Sequence, residues 1–175
     1  RDTRQRGVLG MIPGEIITTD NGYADHVDLD KDILKIAVIE RHKNTHHIGL
    51  GYIQGYGLKS GAVATSISHD SHNIIVVGTN SADMAAAANH IVEHHGGIVV
   101  MENGEVKGEV VLEIAGIMSD RPLTEINTEL EAAKTAAFDL GVSRGIDPFM
   151  TLSFMALPVI PKLRITTRGV IDVET

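Results

Sequence analysis

Two short apolar runs, Ala62 to Ile67 and Ile74 to Val77, enclose a compact polar knot: Ser68, His69, Asp70, Ser71, His72 and Asn73. β-Branched and small apolar residues bounded by glycine read as strands. Neither run alternates cleanly between apolar and polar, so each is expected to be covered on both faces, inside a layered domain. The knot then falls at the rim of a sheet, where a rigid scaffold can hold side chains in place. Two imidazoles and a carboxylate within four positions bring metal ligands and proton-transfer groups together. The same composition also serves ordinary turn chemistry, because Ser, Asp and Asn bond to nearby backbone groups. Both readings stand on the residues alone.

The chain of 175 residues is long enough for one domain with a real core, or a domain plus an arm. Hydrophobic residues make up 43% and charged residues 22%, the balance of a globular protein. A net charge of −8 argues against a nucleic-acid partner, which needs a basic face. Aromatic content of 3% argues against stacking on bases as well. With no cysteine, disulfides and thiolate-bound zinc are excluded. No apolar run approaches the roughly 20 residues of a membrane span, and no signal-peptide pattern opens the chain. A cytoplasmic protein without a membrane partner is the expectation. The chain starts at Arg1 rather than Met, which suggests a piece of something longer.

Taken in order, residues 1–14 are basic and punctuated by Gly7, Gly10, Pro13 and Gly14, reading as a linker or arm before a domain over 15–175. Ile16 to Thr19 suggests a short strand and Asp20 to Asp32 an exposed loop. Ile33 to Glu40 and Ile48 to Ile53 read as a hairpin, with Arg41, His42, His46 and His47 around its turn. Gly49, Gly51, Gly55, Gly57 and Gly61 fit no nucleotide-binding spacing, so close backbone packing is the expectation.

Asn80 or Ser81 caps a helix that carries Met84, Ala88, Ile91 and Val92 on one face and stops at Gly96-Gly97. His90 and His94 share a face of it at i, i+4, a spacing that suits a metal, but also the negative end of a helix dipole. Asn103-Gly104 marks a two-residue hairpin. Asp120 is the expected cap of a second helix, with Pro122 in its first turn and Gly141 as its stop. Asp147 to Pro161 is apolar but broken by three prolines, so it is expected to fill the core or line a pocket or interface. Leu163 to Thr166 reads as a closing strand. The expected fold is α+β: a mixed, largely antiparallel sheet with two main helices, part of it parallel through the βαβ-like unit at the first helix.

GYGLKSGAVATSISHDSHNIIVVGTN, then IAGIMSD, then DPFMTLSFMALPVIP, together with PGEIIT, IERH and IGLGYIQGYG, form a specific series of blocks. Over Pro13 to Val173 the chain resembles the C-terminal domain of bacterial and archaeal adenine deaminases. These belong to the amidohydrolase superfamily. The resemblance implies hydrolysis of adenine to hypoxanthine and ammonia by a metal-activated hydroxide, with manganese or iron as the metal. The superfamily's metal ligands lie on a (β/α)₈ barrel and begin with His-x-His. This chain has no His-x-His and is shorter than the roughly 250 residues such a barrel takes.

The resemblance therefore implies a companion lobe, inactive alone, whose partner is the N-terminal catalytic barrel, within an enzyme that is a homo-oligomer. On that reading His69, Asp70 and His72 bind an accessory metal, assist proton transfer or contact substrate. Asn73 orients them, and Arg41 and His42 are further candidates for substrate binding or support. Two alternatives remain: a non-catalytic docking or oligomerisation module, and a small independent metal-dependent hydrolase built on the SHDSHN segment.

Overall fold

The computed structural model describes residues 6–11, 18–24, 27–39, 48–66, 74–94, 96–111, 122–144, 147–149, 152, 163–166 and 169–172. Among them the strands are β1 (Arg6–Met11), β2 (Thr18–Ala24), β3 (Ile33–Ile39), β4 (Ile48–Gln54), β5 (Ala62–Thr65), β6 (Ile74–Gly78), β7 (Gly97–Glu102), β8 (Glu105–Val111), β9 (Leu163–Thr166) and β10 (Gly169–Asp172). The helices are α1 (Ser81–Glu93) and α2 (Leu123–Asp139).

Eight strands form one sheet in the order β2-β1-β4-β3-β6-β5-β7-β8, and β9 with β10 form a separate pair. Every neighbouring pair in the large sheet is antiparallel except β1 with β4. This is the expected mixed, largely antiparallel α+β fold.

The parallel contact is not where the βαβ-like pattern put it. Strands β6 and β7 run the same way, but β5 lies between them, antiparallel to both. The β5–β6 hairpin fills the place beside β6, so α1 must carry the chain across β5 to its free edge. The parallel pair comes instead from β1, within the stretch read as an arm. Pairing with β1 also extends β2 to Ala24, into residues read as a loop. Cross-strand partners override the turn preference of Asp20, Asn21 and Gly22. Leu163 to Thr166 forms a strand that closes on β10 rather than on the large sheet.

Side-chain alternation sends the apolar residues of the central strands to two cores. Leu34, Ile36, Val38, Val63, Ile75, Val77, Ile98 and Val100 face Ala133 and Ala137 of α2 together with Val142, Phe149 and Leu152. Ala37, Ala62, Ala64, Ile74, Val76, Val99 and Met101 face Met84, Ala87 and Ile91 of α1. Strands β5 and β6 are buried along their whole length, which is why their sequences lack alternation. Each fully buried Val or Ile contributes roughly 1.5–3 kcal/mol. Phe149 and Leu152 place part of the proline-broken segment in the core, and the buried Tyr56 hydroxyl donates to Pro148 O at 2.8 Å.

The end of the sheet where β4 finishes is tied by polar bonds. Asp32 accepts from the N–H groups of Gly57 (3.0 Å) and Gly55 (3.2 Å). Gly57 has φ +95, and a Cβ there would lie 2.7 Å from Gly141 O. The glycine run therefore serves close backbone packing, as its spacing suggested. Asn80 caps α1 by accepting from Asp83 N at 2.8 Å, as expected. At α2 the cap differs: Pro122 is itself the N-cap and precedes the first helical residue. Its missing N–H costs nothing there. Asp120, the expected cap, lies outside the described residues.

Asp83 is buried and joins α1 to the Asn103-Gly104 turn, where both residues have positive φ. Its carboxylate accepts from Gly104 N (3.1 Å), Asn103 N (3.2 Å) and Asn80 Nδ2 (3.0 Å). Burial alone would raise its pKa, but the bonds from Asn80, Gly104 and Asn103 outweigh it and hold the group below its ordinary value. A depressed carboxyl contributes stability that is present above the unfolded pKa, about 3.9, and is lost as pH falls through the folded value. Asp83→Ala should cost about 1–2 kcal/mol at pH 7 by removing a part-buried, charge-assisted tie between α1 and the β7–β8 turn. Urea unfolding of both proteins should show that gap unchanged from pH 7 to pH 5, narrowing below about pH 4.

Candidate functional site

His69, Asp70, His72, Asn73, Arg41 and His42 lie outside the described residues, within 67–73 and 40–47. What the structure places is the frame that holds those two segments. Residues 67–73 join β5 to β6, where Thr65 pairs with Ile75. Residues 40–47 join β3 to β4, where Ile39 pairs with Ile48. Strands β3 and β6 are neighbours, and Ile39 pairs with Ile74. Both segments therefore leave and re-enter the sheet at the same end.

A third element reaches this end. Strand β6 finishes at Gly78 on the opposite end, and α1 runs back before β7 starts at Gly97. Gly96 and Gly97, with φ +131 and +129, turn the chain from helix into strand. Ser66, the last described residue before 67–73, is buried and bonded to Gly97.

Of the nine histidines in the chain, His42, His46, His47, His69, His72 and His95 lie in sequence between the elements that frame this end but outside the described residues, whereas His90 and His94 lie in α1 and at its C-cap. Two of them are described in atomic detail. His90 Nε2 meets Glu109 Oε2 of β8, with side chains 19% and 40% exposed. A carboxylate accepts, so Nε2 carries a proton. His94 Nδ1 lies 2.8 Å from His90 O. A carbonyl also only accepts, so Nδ1 is the protonated nitrogen of His94 and Nε2 keeps its lone pair when the ring is neutral.

The rings of His90 and His94 lie 4.2 Å apart between centroids. They share the expected face, yet their nitrogens are committed separately, one to a strand and one to the helix's own last turn. Only His94 meets a carbonyl of the helix end, while His90 is turned to β8. Among the described residues no group of three or more His, Asp or Glu side chains is placed to hold a metal.

The opposite end of the sheet is chemically closed. Asp32 and Asp83 spend their carboxylates on backbone N–H groups there. Burial, and after it the charge of Asp147, keeps the Tyr56 hydroxyl well above the usual phenol range. Glu109 was not visible as a partner of His90 from sequence, because it is 19 positions away on another element. It is brought to α1 by the pairing of β8 with β7, where Glu109 stands opposite Val99 beyond a bulge in the register.

The chain matches the family model described as the adenine deaminase C-terminal domain over residues 14–175. It is 46% identical to adenine deaminase 1 of Rhizobium meliloti (strain 1021), an alignment covering 97% of this chain and 31% of that protein. It is 49% identical to adenine deaminase 1 of Rhizobium johnstonii, over 95% of this chain and 30% of that protein. Adenine deaminase 2 of Carboxydothermus hydrogenoformans is 45% identical over 96% of this chain and 31% of its own length. The chain thus spans under a third of the curated relatives it matches.

The His90–Glu109 contact ties the end of α1 to an edge strand, but both groups reach solvent. A double-mutant cycle of His90→Ala and Glu109→Ala should return a coupling below about 1 kcal/mol. Urea midpoints of the four proteins measure it. A coupling of about 2 kcal/mol or more would make this contact a principal tie of the helix.

Proposed function

Because the chain belongs to the adenine deaminase C-terminal domain family, we propose that it is the companion lobe of an adenine deaminase, docking its histidine-bearing sheet end against a catalytic portion that this chain lacks. The observation that carries this is the junction of both hairpin segments and the α1 terminus at one end of the sheet. A docking lobe that serves a site needs its chemistry-bearing segments on one side, and this topology supplies that.

The whole enzyme hydrolyses adenine: water adds at C6 of the purine, and the exocyclic amino group leaves as ammonia to give hypoxanthine. In this proposal His69, Asp70 and His72 reach the neighbouring active site, where they move protons, contact substrate or hold an accessory ion. Asn73 orients them, and Arg41 and His42 contribute from the adjacent hairpin. The principal metal, manganese or iron, does not fit the residues at hand: His-x-His is missing from the sequence, and the described side chains form no three-group cluster. Its ligands belong to the remainder of the enzyme. A cytoplasmic homo-oligomer completes the proposal. No helix among the described residues is long and apolar enough to cross a membrane.

The direct test adds this chain to the separately expressed remainder and measures ammonia release from adenine. The chain alone should release none, and the mixture should regain turnover. In full-length enzyme, Asp70→Asn and His72→Ala should each lower kcat by about 100-fold or more, the usual scale of a lost proton-transfer group. Wild-type turnover and metal content in both variants would reduce the lobe to a docking or oligomerisation module.

A further inference from the structure

We propose that the outward face of α1, formed by Ala82, Ala85, Asn89 and Val92, is the surface on which the catalytic portion of the enzyme packs. The inference rests on the reading of this chain as a companion lobe and names the surface that makes the join. The inward face of α1 is already used: Met84, Ala87 and Ile91 are buried against the sheet. The four outward residues recur at helical spacing along the far side, all exposed, and Val92 is 60% exposed.

That stripe carries no charge. Of the two carboxylates of α1, Asp83 is buried and Glu93 lies in the last turn, and the helix has no Lys or Arg. A helix with one side in water ordinarily sets charged residues there, and one that is apolar nearly all round belongs between two layers. The ordinary pattern is present in the same molecule, since Glu125, Thr128, Glu131, Thr135 and Asp139 are exposed on α2. Val106 adds to the α1 side. It pairs with Met101, which packs in the core beneath α1, and partners across an antiparallel pair share a face. Val106 is 40% exposed.

Size chooses the occupant. A helix of 13 residues is about 20 Å long and offers a strip about 10 Å wide, well short of the roughly 800 Å² per partner that holds two free chains together. Contacts between portions of one polypeptide succeed at about 600–1,500 Å² in total, because the tether keeps the local concentration near the millimolar range. The relatives are such polypeptides. This chain aligns with only 31% and 30% of the two Rhizobium proteins, and its family is a C-terminal domain, so most of their length is joined to it. The stripe also runs up to the proposed docking end, where Val92 stands two positions before the C-cap His94.

The test places a small aliphatic diazirine amino acid at Ala85 or Val92 of full-length enzyme, with Thr135 of α2 as control, and identifies the joined peptides by mass spectrometry after irradiation. Both α1 positions should join to the catalytic portion, and Thr135 should not. Joining to residues 1–175 of the same or another copy, equal joining from Thr135, or no joining at all overturns the inference. A second measurement uses Ala85→Cys and Val92→Cys. The chain has no cysteine, so label on its peptides reports the introduced thiol alone. In full-length enzyme both should react with a maleimide at least about 10-fold more slowly than Thr135→Cys, because a covered thiol is shielded. Equal rates overturn the inference. If α1 fails these measurements while the mixture of this chain and the separately expressed remainder regains turnover, the proposed function stands and the docking face alone is wrong. A remainder that is fully active without this chain and does not bind it overturns both.

Discussion

The antiparallel ladder of β3, β6 and β5, apolar on both faces, is the constraint from which the rest of the structure follows. A strand buried on one face leaves the other to water and needs one covering layer. Strands β5 and β6 need two, and the chain provides them as α1 on one side and α2 with Val142, Phe149 and Leu152 on the other. The small residues Ala62, Ala64, Ala87, Ala133 and Ala137 let those layers approach closely. Even the path of α1 is a consequence, since it must bridge β5 to reach the edge where β7 adds.

That path also divides the molecule chemically. At the end where β4 finishes and α1 begins, the polar groups are consumed by structure: Asp32 on two glycine N–H groups, Asp83 on the β7–β8 turn, Tyr56 on Pro148. A carboxylate bonded in this way is a staple, because it holds two backbone donors of another segment. At the other end lie the two hairpin segments and the helix terminus. Among the described residues, one end of the fold is thus tied by carboxylates bonded to backbone N–H groups, and the other carries His90, His94 and Glu109.

Much of this was legible in sequence where local chemistry decides. The non-alternating runs announced two covering layers, Asn80 announced the start of α1, and Asn103-Gly104 announced the β7–β8 turn. What sequence could not reveal was pairing between distant segments. The strand at Arg6–Met11 looked like an arm because its basic, glycine-punctuated residues have little strand preference, and the edge of β4 supplies the pairing that orders them. The insertion of β5 between β6 and β7 was hidden for the same reason, since a βαβ-like pattern does not encode what lies between its strands. At the candidate site, the SHDSHN motif stood out by composition, whereas Ser66 read as one more residue at the end of an apolar run. Its hydroxyl bonds to Gly97, 31 positions away, whose own signal looked only like a helix stop.

The polarity of α1 sets the electrostatic character of the histidine-bearing end. The last carbonyls of a helix carry roughly half a negative charge, and here they point toward the end where the two hairpin segments leave the sheet. Glu109 adds a carboxylate beside them. Both are negative, in keeping with the chain's net charge of −8. The direction in which α1 crosses the sheet, set by the buried β5–β6 hairpin that it must bridge, therefore decides which end of the sheet receives the negative pole of the helix.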